Sequence, residues 1–219
     1  MYYKMKRADV INRLIDVSNL KNPHYLEIGV LFGDTFKDIN SNVKDGVDPG
    51  QHGNCDYVNY KMTSDDFFKN HINKKYDIIF IDGLHTSFQV SKDIFNSINN
   101  LNDGGWIILD DVFPHSENEQ ERLNLKKPGP QTGDVWKALY NVLDTIIEIS
   151  EVTYFTRITE RGSFAFRLKP NNTRNIVIDE TIPTCDGDGW DDNLGEEWDK
   201  YTFKNDFHNY IQILRKISS

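Results

Sequence analysis

The sequence predicts a doubly wound α/β fold: a mostly parallel sheet with helices on both faces and an antiparallel hairpin at its carboxyl-terminal side. Three observations lead there. Short apolar runs alternate along the chain with helix-compatible stretches, the order that builds a parallel sheet through right-handed crossovers. Two of the runs, Tyr76-Asp77-Ile78-Ile79-Phe80-Ile81 and Gly105-Trp106-Ile107-Ile108-Leu109, are apolar at successive positions, as strands covered by helices on both sides must be. Finally, residues 152–158 and 163–168 read as two strands joined by the turn Thr159-Glu160-Arg161-Gly162.

The elements follow in order. Val10, Ile11, Leu14, Ile15 and Val17 stand at helical spacing, so residues 1–20 read as an amino-terminal amphipathic helix covering one edge of the sheet. Tyr25-Leu26-Glu27-Ile28 and Gly46-Val47 read as the first two strands, with a helix over residues 34–39 between them. Residues 65–72 and 87–101 supply further helices. The main domain spans residues 21–170. Within it residues 113–132 are polar, carry three prolines and are too long for an ordinary connection, which suggests a lid or substrate loop. Helix resumes over residues 134–149. Residues 171–219 form a polar carboxyl-terminal extension, in which residues 198–217 return to a helical pattern.

Composition bounds the function. The 219 residues, 38% hydrophobic with 13 Phe, 10 Tyr and 4 Trp, can supply a core for one domain with an appendage. No run approaches the ~18 apolar residues of a membrane helix, and the amino terminus lacks a signal-peptide core, so a soluble, cytoplasmic protein is expected. Two cysteines, Cys55 and Cys185, offer neither a disulfide framework nor a Cys-rich zinc site. A net charge of -9 has the wrong sign for gripping a phosphate backbone, so nucleic acid is not expected as a partner. In the acidic tail, Asp186, Asp188 and Glu197 depart from a calcium-loop pattern at Trp190 and Asp191 and read as a solvated turn.

Two sheet-edge features carry chemistry. Glu27-Ile28-Gly29-Val30-Leu31-Phe32-Gly33 lies where the first strand gives way to the next segment, and glycine there lets backbone approach a ligand closely. About 20 residues on, Asp48 ends the second strand, the position from which a carboxylate binds ribose hydroxyls in this architecture. The spacing is G-x-x-x-G rather than that of a dinucleotide site, and Glu27 would repel phosphates, so NAD is disfavoured. A cationic, phosphate-free nucleoside suits the loop better, and S-adenosylmethionine carries sulfonium and ammonium groups. Asp82 closes the third strand, and Asp110 and Asp111 close the fourth. Parallel strands bring these ends to one edge, where two like charges ~4 Å apart repel by ~1 kcal/mol in water and by ~4 kcal/mol at an effective dielectric of 20. A divalent cation relieves that repulsion; all-oxygen ligands favour Mg²⁺, then Mn²⁺ or Ca²⁺. Adjacent strand residues point opposite ways, so Asp110 and Asp111 share one ion only if the chain turns there. His85, three residues after Asp82, has a side chain that titrates near neutrality and suits a general base; His115 is its competitor.

Leu26-Glu27-Ile28-Gly29-Val30-Leu31-Phe32-Gly33, Val47-Asp48-Pro49, Phe80-Ile81-Asp82-Gly83-Leu84-His85 and Leu109-Asp110-Asp111-Val112 resemble the successive motifs of class I S-adenosylmethionine-dependent methyltransferases. They are most similar to the branch of metal-dependent small-molecule and sugar O-methyltransferases. The resemblance covers roughly residues 20–170 and implies a Rossmann-like sheet. It implies Glu27 and Gly29 near the methionine part of the cofactor, Gly33 in the same loop, Asp48 on the ribose, Ser64 and Asp65 near the adenine, and Asp82 at the cofactor's edge. It also implies a metal at Asp82, Asp110 and Asp111, His85 as the base, and a sugar or glycoside as acceptor; a homo-oligomer is compatible with it. Two alternatives stay open: a metal-independent small-molecule methyltransferase, and a non-catalytic binding module on the same fold. Trp136, in Gly133-Asp134-Val135-Trp136, suits either an acceptor-pocket wall or core packing.

Overall fold

In the computed structural model, which describes residues 5–51, 55–121, 131–156, 161–170 and 203–217, six strands build one sheet. They are β1 (His24–Ile28), β2 (Val43–Val47), β3 (Tyr76–Ile81), β4 (Leu101–Leu109), β5 (Ser150–Thr156) and β6 (Ser163–Leu168). The order across the sheet is β2-β1-β3-β4-β6-β5, with the first four parallel and β6 antiparallel to both of its neighbours. The doubly wound sheet and its carboxyl-terminal hairpin are as expected. The chain runs outward from β1 to β2 and returns across β1 to β3, so its direction of winding reverses between β1 and β3. A crevice opens at the carboxyl edge of the strands at such a point.

The helices are α1 (Arg7–Val17), α2 (Ser64–Asn70), α3 (Ser87–Asn99), α4 (Val135–Ile149) and α5 (Phe203–Ile217). α1 turns Ala8, Ile11, Leu14 and Ile15 onto one face of the sheet, against Tyr25, Ile78, Phe80, Trp106 and Ile108. The strand residues of opposite parity, among them Leu26, Ile28, Ile79, Ile81, Ile107 and Leu109, share the other core with α2, α3, α4 and α5. Each such side chain removed from water contributes about 1.5–3 kcal/mol, which is why the strands are apolar on both faces. The carboxyl-terminal segment is more than a polar extension. α5 buries Tyr210 and Leu214 completely, and the Tyr210 hydroxyl donates to the Val112 carbonyl at 2.8 Å, bracing the chain just beyond Asp111.

Two local expectations fail for backbone reasons. The helix expected over residues 34–39 shrinks to a single 3-10 turn, Phe36–Asp38, because Leu31 and Gly33 sit at φ +49° and +77° and Ile39 is already extended. The helix expected to reach residue 101 ends at Asn99, and Leu101 opens β4 by pairing with Tyr76; a bulge through residues 102–105 follows, with Gly104 at φ +74°. The central part of the expected lid loop (122–130), the end of the first hairpin strand with the first half of its turn (157–160) and the acidic tail (171–202) lie outside the described residues.

Candidate active site

The crevice is built first by glycine. Gly29, just past β1, sits at φ +86° and donates its N–H to the Val47 carbonyl at 2.9 Å. A Cβ there would lie 2.0 Å from the Asp82 carbonyl oxygen, so only glycine lets the loops after β1 and β3 meet. Asp48, just past β2, accepts the Leu31 N–H at 2.9 Å with one carboxylate oxygen and the Gly50 N–H at 2.7 Å with the other. It thus shapes the first loop and, with about four lone-pair sites, retains acceptor capacity for hydroxyls. Gly33 is glycine for a different reason: its Cβ would strike the Tyr57 ring at 2.2 Å.

Glu27 is 2% exposed, and the Tyr25 hydroxyl, two residues earlier on the same strand face, donates to it at 2.5 Å. Burial pushes the Glu27 carboxyl up to about 8 despite that hydrogen bond, with Asp82 raising it further and Lys44 and Arg7 opposing. A cation placed beside Glu27 would favour its ionised form. Ser64 and Asp65 open α2, whose first turn is capped by Thr63. Both are tied to α3: the Gln89 amide donates to Ser64 at 3.1 Å and to Asp65 at 3.0 Å, while the Lys92 ammonium lies 3.0 Å from Asp65.

The three aspartates divide. Asp110 is 3% exposed; Arg7, the first residue of α1, donates from Nε to one of its oxygens, and the Ser163 hydroxyl donates to the other at 2.8 Å. At Asp111 the backbone turns through φ +57°. That left-handed residue breaks the strand alternation and swings Asp111 toward the loop after β3. There Asp82, His85 and Asp111 come together, each offering a ligand atom within 4.8 Å of the others. The expected set of Asp82, Asp110 and Asp111 is therefore split geometrically, with Asp110 facing Arg7 and Ser163 and His85 standing beside the other two.

His85 is held from all sides. Its Nε2 lies 3.3 Å from Asp82, and its Nδ1 lies 3.3 Å from Asp111 and 3.2 Å from the Gln131 carbonyl. Gly133, at φ +57°, permits this approach, since a Cβ on it would fall 1.8 Å from the His85 carbonyl oxygen. Asp134 then crosses to α3, accepting the Ser87 N–H at 2.6 Å and its hydroxyl at 3.0 Å, which caps that helix from a distant segment. Burial works to lower the His85 pKa, but the hydrogen bond to Asp82 and the charges of Asp111 and Asp82 outweigh it and raise it. Burial raises Asp111, as does Asp110; burial and Asp82 raise Asp110 against the pull of Arg7 and Ser163. The two acids thus favour the imidazolium form of His85.

His115 is exposed, and its backbone N–H is taken by Glu119. Trp136 is fully buried, ringed by Tyr140, Phe203, Phe207 and Tyr210, with its indole N–H on Gln120 at 2.8 Å; it packs the core. Sequence reasoning missed Arg7, Tyr25 and Ser163. Tyr25 carried a signal, an i,i+2 partner of a buried acid on one strand face. Arg7 and Ser163 carried none, because their partner lies far along the chain.

A methyltransferase-domain family model matches residues 26–112, the span from β1 through the Asp110–Asp111 turn. A comparison with curated proteins found no match. Among solved structures, the chain is similar to an O-methyltransferase from Bacillus cereus bound to S-adenosylhomocysteine, at 15% identity and a TM-score of 0.51, over 77% of this chain and 84% of that one. It is also similar to the S-adenosylhomocysteine-bound methyltransferase of Podospora anserina, at 16% identity and a TM-score of 0.52, over 76% and 80% of the two chains. Among the described residues no helix is long and apolar enough to cross a membrane. Residues 26–112 thus match a methyltransferase-domain model, and the chain shares the fold of these methyltransferase structures.

Proposed function

We propose that this protein is an S-adenosylmethionine-dependent O-methyltransferase that methylates a hydroxyl of a small, sugar-like acceptor with the help of a divalent cation. The observation that carries this is the meeting of Asp82, His85 and Asp111 beside the Gly29 loop, at the crevice where the strand order reverses. Glu27 would face the cationic methionine end of the cofactor, Gly29 and Gly33 would shape the loop around it, Asp48 would accept from the ribose hydroxyls, and Ser64 and Asp65 would border the adenine. The donor set fits a divalent ion: two carboxylates with an imidazole nitrogen close by, in a crevice with more acid than base. Asp82 and Asp111 would hold that ion, Mg²⁺ or Mn²⁺, which supplies a more acidic acceptor hydroxyl and a fixed attack geometry. With Asp82 and Asp111 so engaged, His85 loses the charges that keep it protonated and takes the hydroxyl proton. A sugar-like acceptor follows from the resemblance to sugar methyltransferases with a histidine three residues after the acid.

Calorimetry with S-adenosylmethionine, and mass detection of methyl gain on nucleotide sugars and glycosides with and without EDTA, test this together. Cofactor binding and an EDTA-sensitive methyl gain are expected; absence of cofactor binding refutes the assignment. A metal-independent transfer is the alternative, favoured by Arg7 and His85, two cations already set among the three aspartates. Full activity in EDTA selects it.

A further inference from the structure

We infer that Arg7 is a positioning residue that keeps Asp110 out of the ion's ligand set, so that the cation is held from Asp82 and Asp111 without it. The inference rests on the divalent-cation part of the proposed function and adds to it which carboxylate is withheld, and by what.

The geometry supports it from three directions. Asp110 spends both oxygens within the protein, one on the Arg7 Nε–H and the other on the Ser163 hydroxyl, and it is almost wholly buried. Arg7 reaches the cluster from the first turn of α1, which Ala8, Ile11, Leu14 and Ile15 clamp onto the sheet, so the guanidinium is delivered by a rigid element. The same guanidinium lies 3.7 Å from Asp82 through a second nitrogen, so it bridges the withheld acid and the exposed-side acid. Asp111, by contrast, is turned at φ +57° toward Asp82 and His85, and its ion-pair partner is His85. A planar guanidinium with five donors in a fixed fork suits this bridging, which a lysine could replace only as a point charge.

Mn²⁺ binding, followed by electron paramagnetic resonance of the free ion on the full chain, tests this without reference to turnover. With the native protein, Asp110→Asn should weaken Mn²⁺ binding clearly less than Asp111→Asn and Asp82→Asn, each of which should weaken it by about tenfold or more. Arg7→Met should release Asp110 as an additional ligand and tighten Mn²⁺ binding by about tenfold, and adding Asp110→Asn to Arg7→Met should abolish that gain, a coupling that a purely structural role of Arg7 would not produce. Arg7→Lys, which keeps a charge on Asp110, should stay close to the native affinity; it serves as the measurement if Arg7→Met fails to fold. An Asp110→Asn loss in the native background as large as that of Asp111→Asn overturns the inference while leaving the ion itself in place. No Mn²⁺ binding by the native protein overturns both.

Discussion

Asp93 offers a test of the platform on which Ser64 and Asp65 stand. It lies in α3 with no exposure; one oxygen accepts from the Gln89 amide at 3.1 Å, and the other has no partner among the described residues. Burial pushes its carboxyl from 3.8 up to about 7, helped by Asp65 and opposed by Ser64, Gln89 and Lys92. A rise of about three pH units corresponds to about 4 kcal/mol as a ceiling, at 1.36 kcal/mol per unit. The folded state binds the proton more tightly than the unfolded chain does. The stability is therefore complete below about pH 4 and is lost as pH rises through about 7. Asp93→Asn removes the titration while keeping the shape. Its stability relative to the native protein should climb by up to about 3 kcal/mol between about pH 5 and about pH 8, a visible share of the ~5–15 kcal/mol that such a domain holds in total. Urea unfolding at the two pH values, with the m-value unchanged, reads this directly. A difference between variant and native protein that stays flat with pH would refute the reasoning, for Asp93 would then carry no displaced titration.

Gly133→Ala should lower the melting temperature by roughly 4 °C or more, since a left-handed non-glycine residue costs about 1–3 kcal/mol and its Cβ meets the His85 carbonyl oxygen at 1.8 Å. It should slow methyl transfer more than it weakens cofactor binding, because the Gly29 loop is built separately; a thermal melt, calorimetry and a rate measurement check the two parts. Tyr25→Phe removes a hydrogen bond that holds the Glu27 proton affinity down, so the Glu27 carboxyl should rise above about 8. S-adenosylmethionine affinity should then fall at neutral pH and recover as pH increases through that range, which calorimetry at neutral and alkaline pH compares with the native profile.

The strands and the edge on which the acids gather were legible because both depend on local regularities. Apolar residues at successive positions mark a strand covered on both faces, and parallel strands send their carboxyl ends to one side, so the sequence alone brings Gly29, Asp48, Asp82, Asp110 and Asp111 to one edge. The 3-10 turn at Phe36–Asp38 was not legible, because a helix-compatible composition says nothing of the left-handed residues at Leu31 and Gly33 that use up the chain before it. The reason for Gly33 was hidden likewise: the ring of Tyr57 that fills the space of its missing side chain arrives from a separate loop.

The division of Asp110 from Asp111 shows where local reasoning stops and what takes over. Strand alternation alone sends two neighbouring aspartates to opposite sides, which makes a shared ion a question about the backbone at one residue. The backbone does turn at Asp111, yet the turn does not bring both acids into one cluster: it frees Asp111 for His85 and Asp82 while leaving Asp110 in line with β4. Two things hold that outcome. Val112 is buried with its carbonyl under the Tyr210 hydroxyl of α5, which fixes the chain on the far side of the turn, and Asp110 meets an arginine whose helix packs on the opposite face of the sheet. An unpaired carboxylate at that depth would cost several kcal/mol, so Asp110 remains stable only with a cation supplied from elsewhere in the fold. Residues separated by about half the chain therefore set the direction of one carboxylate.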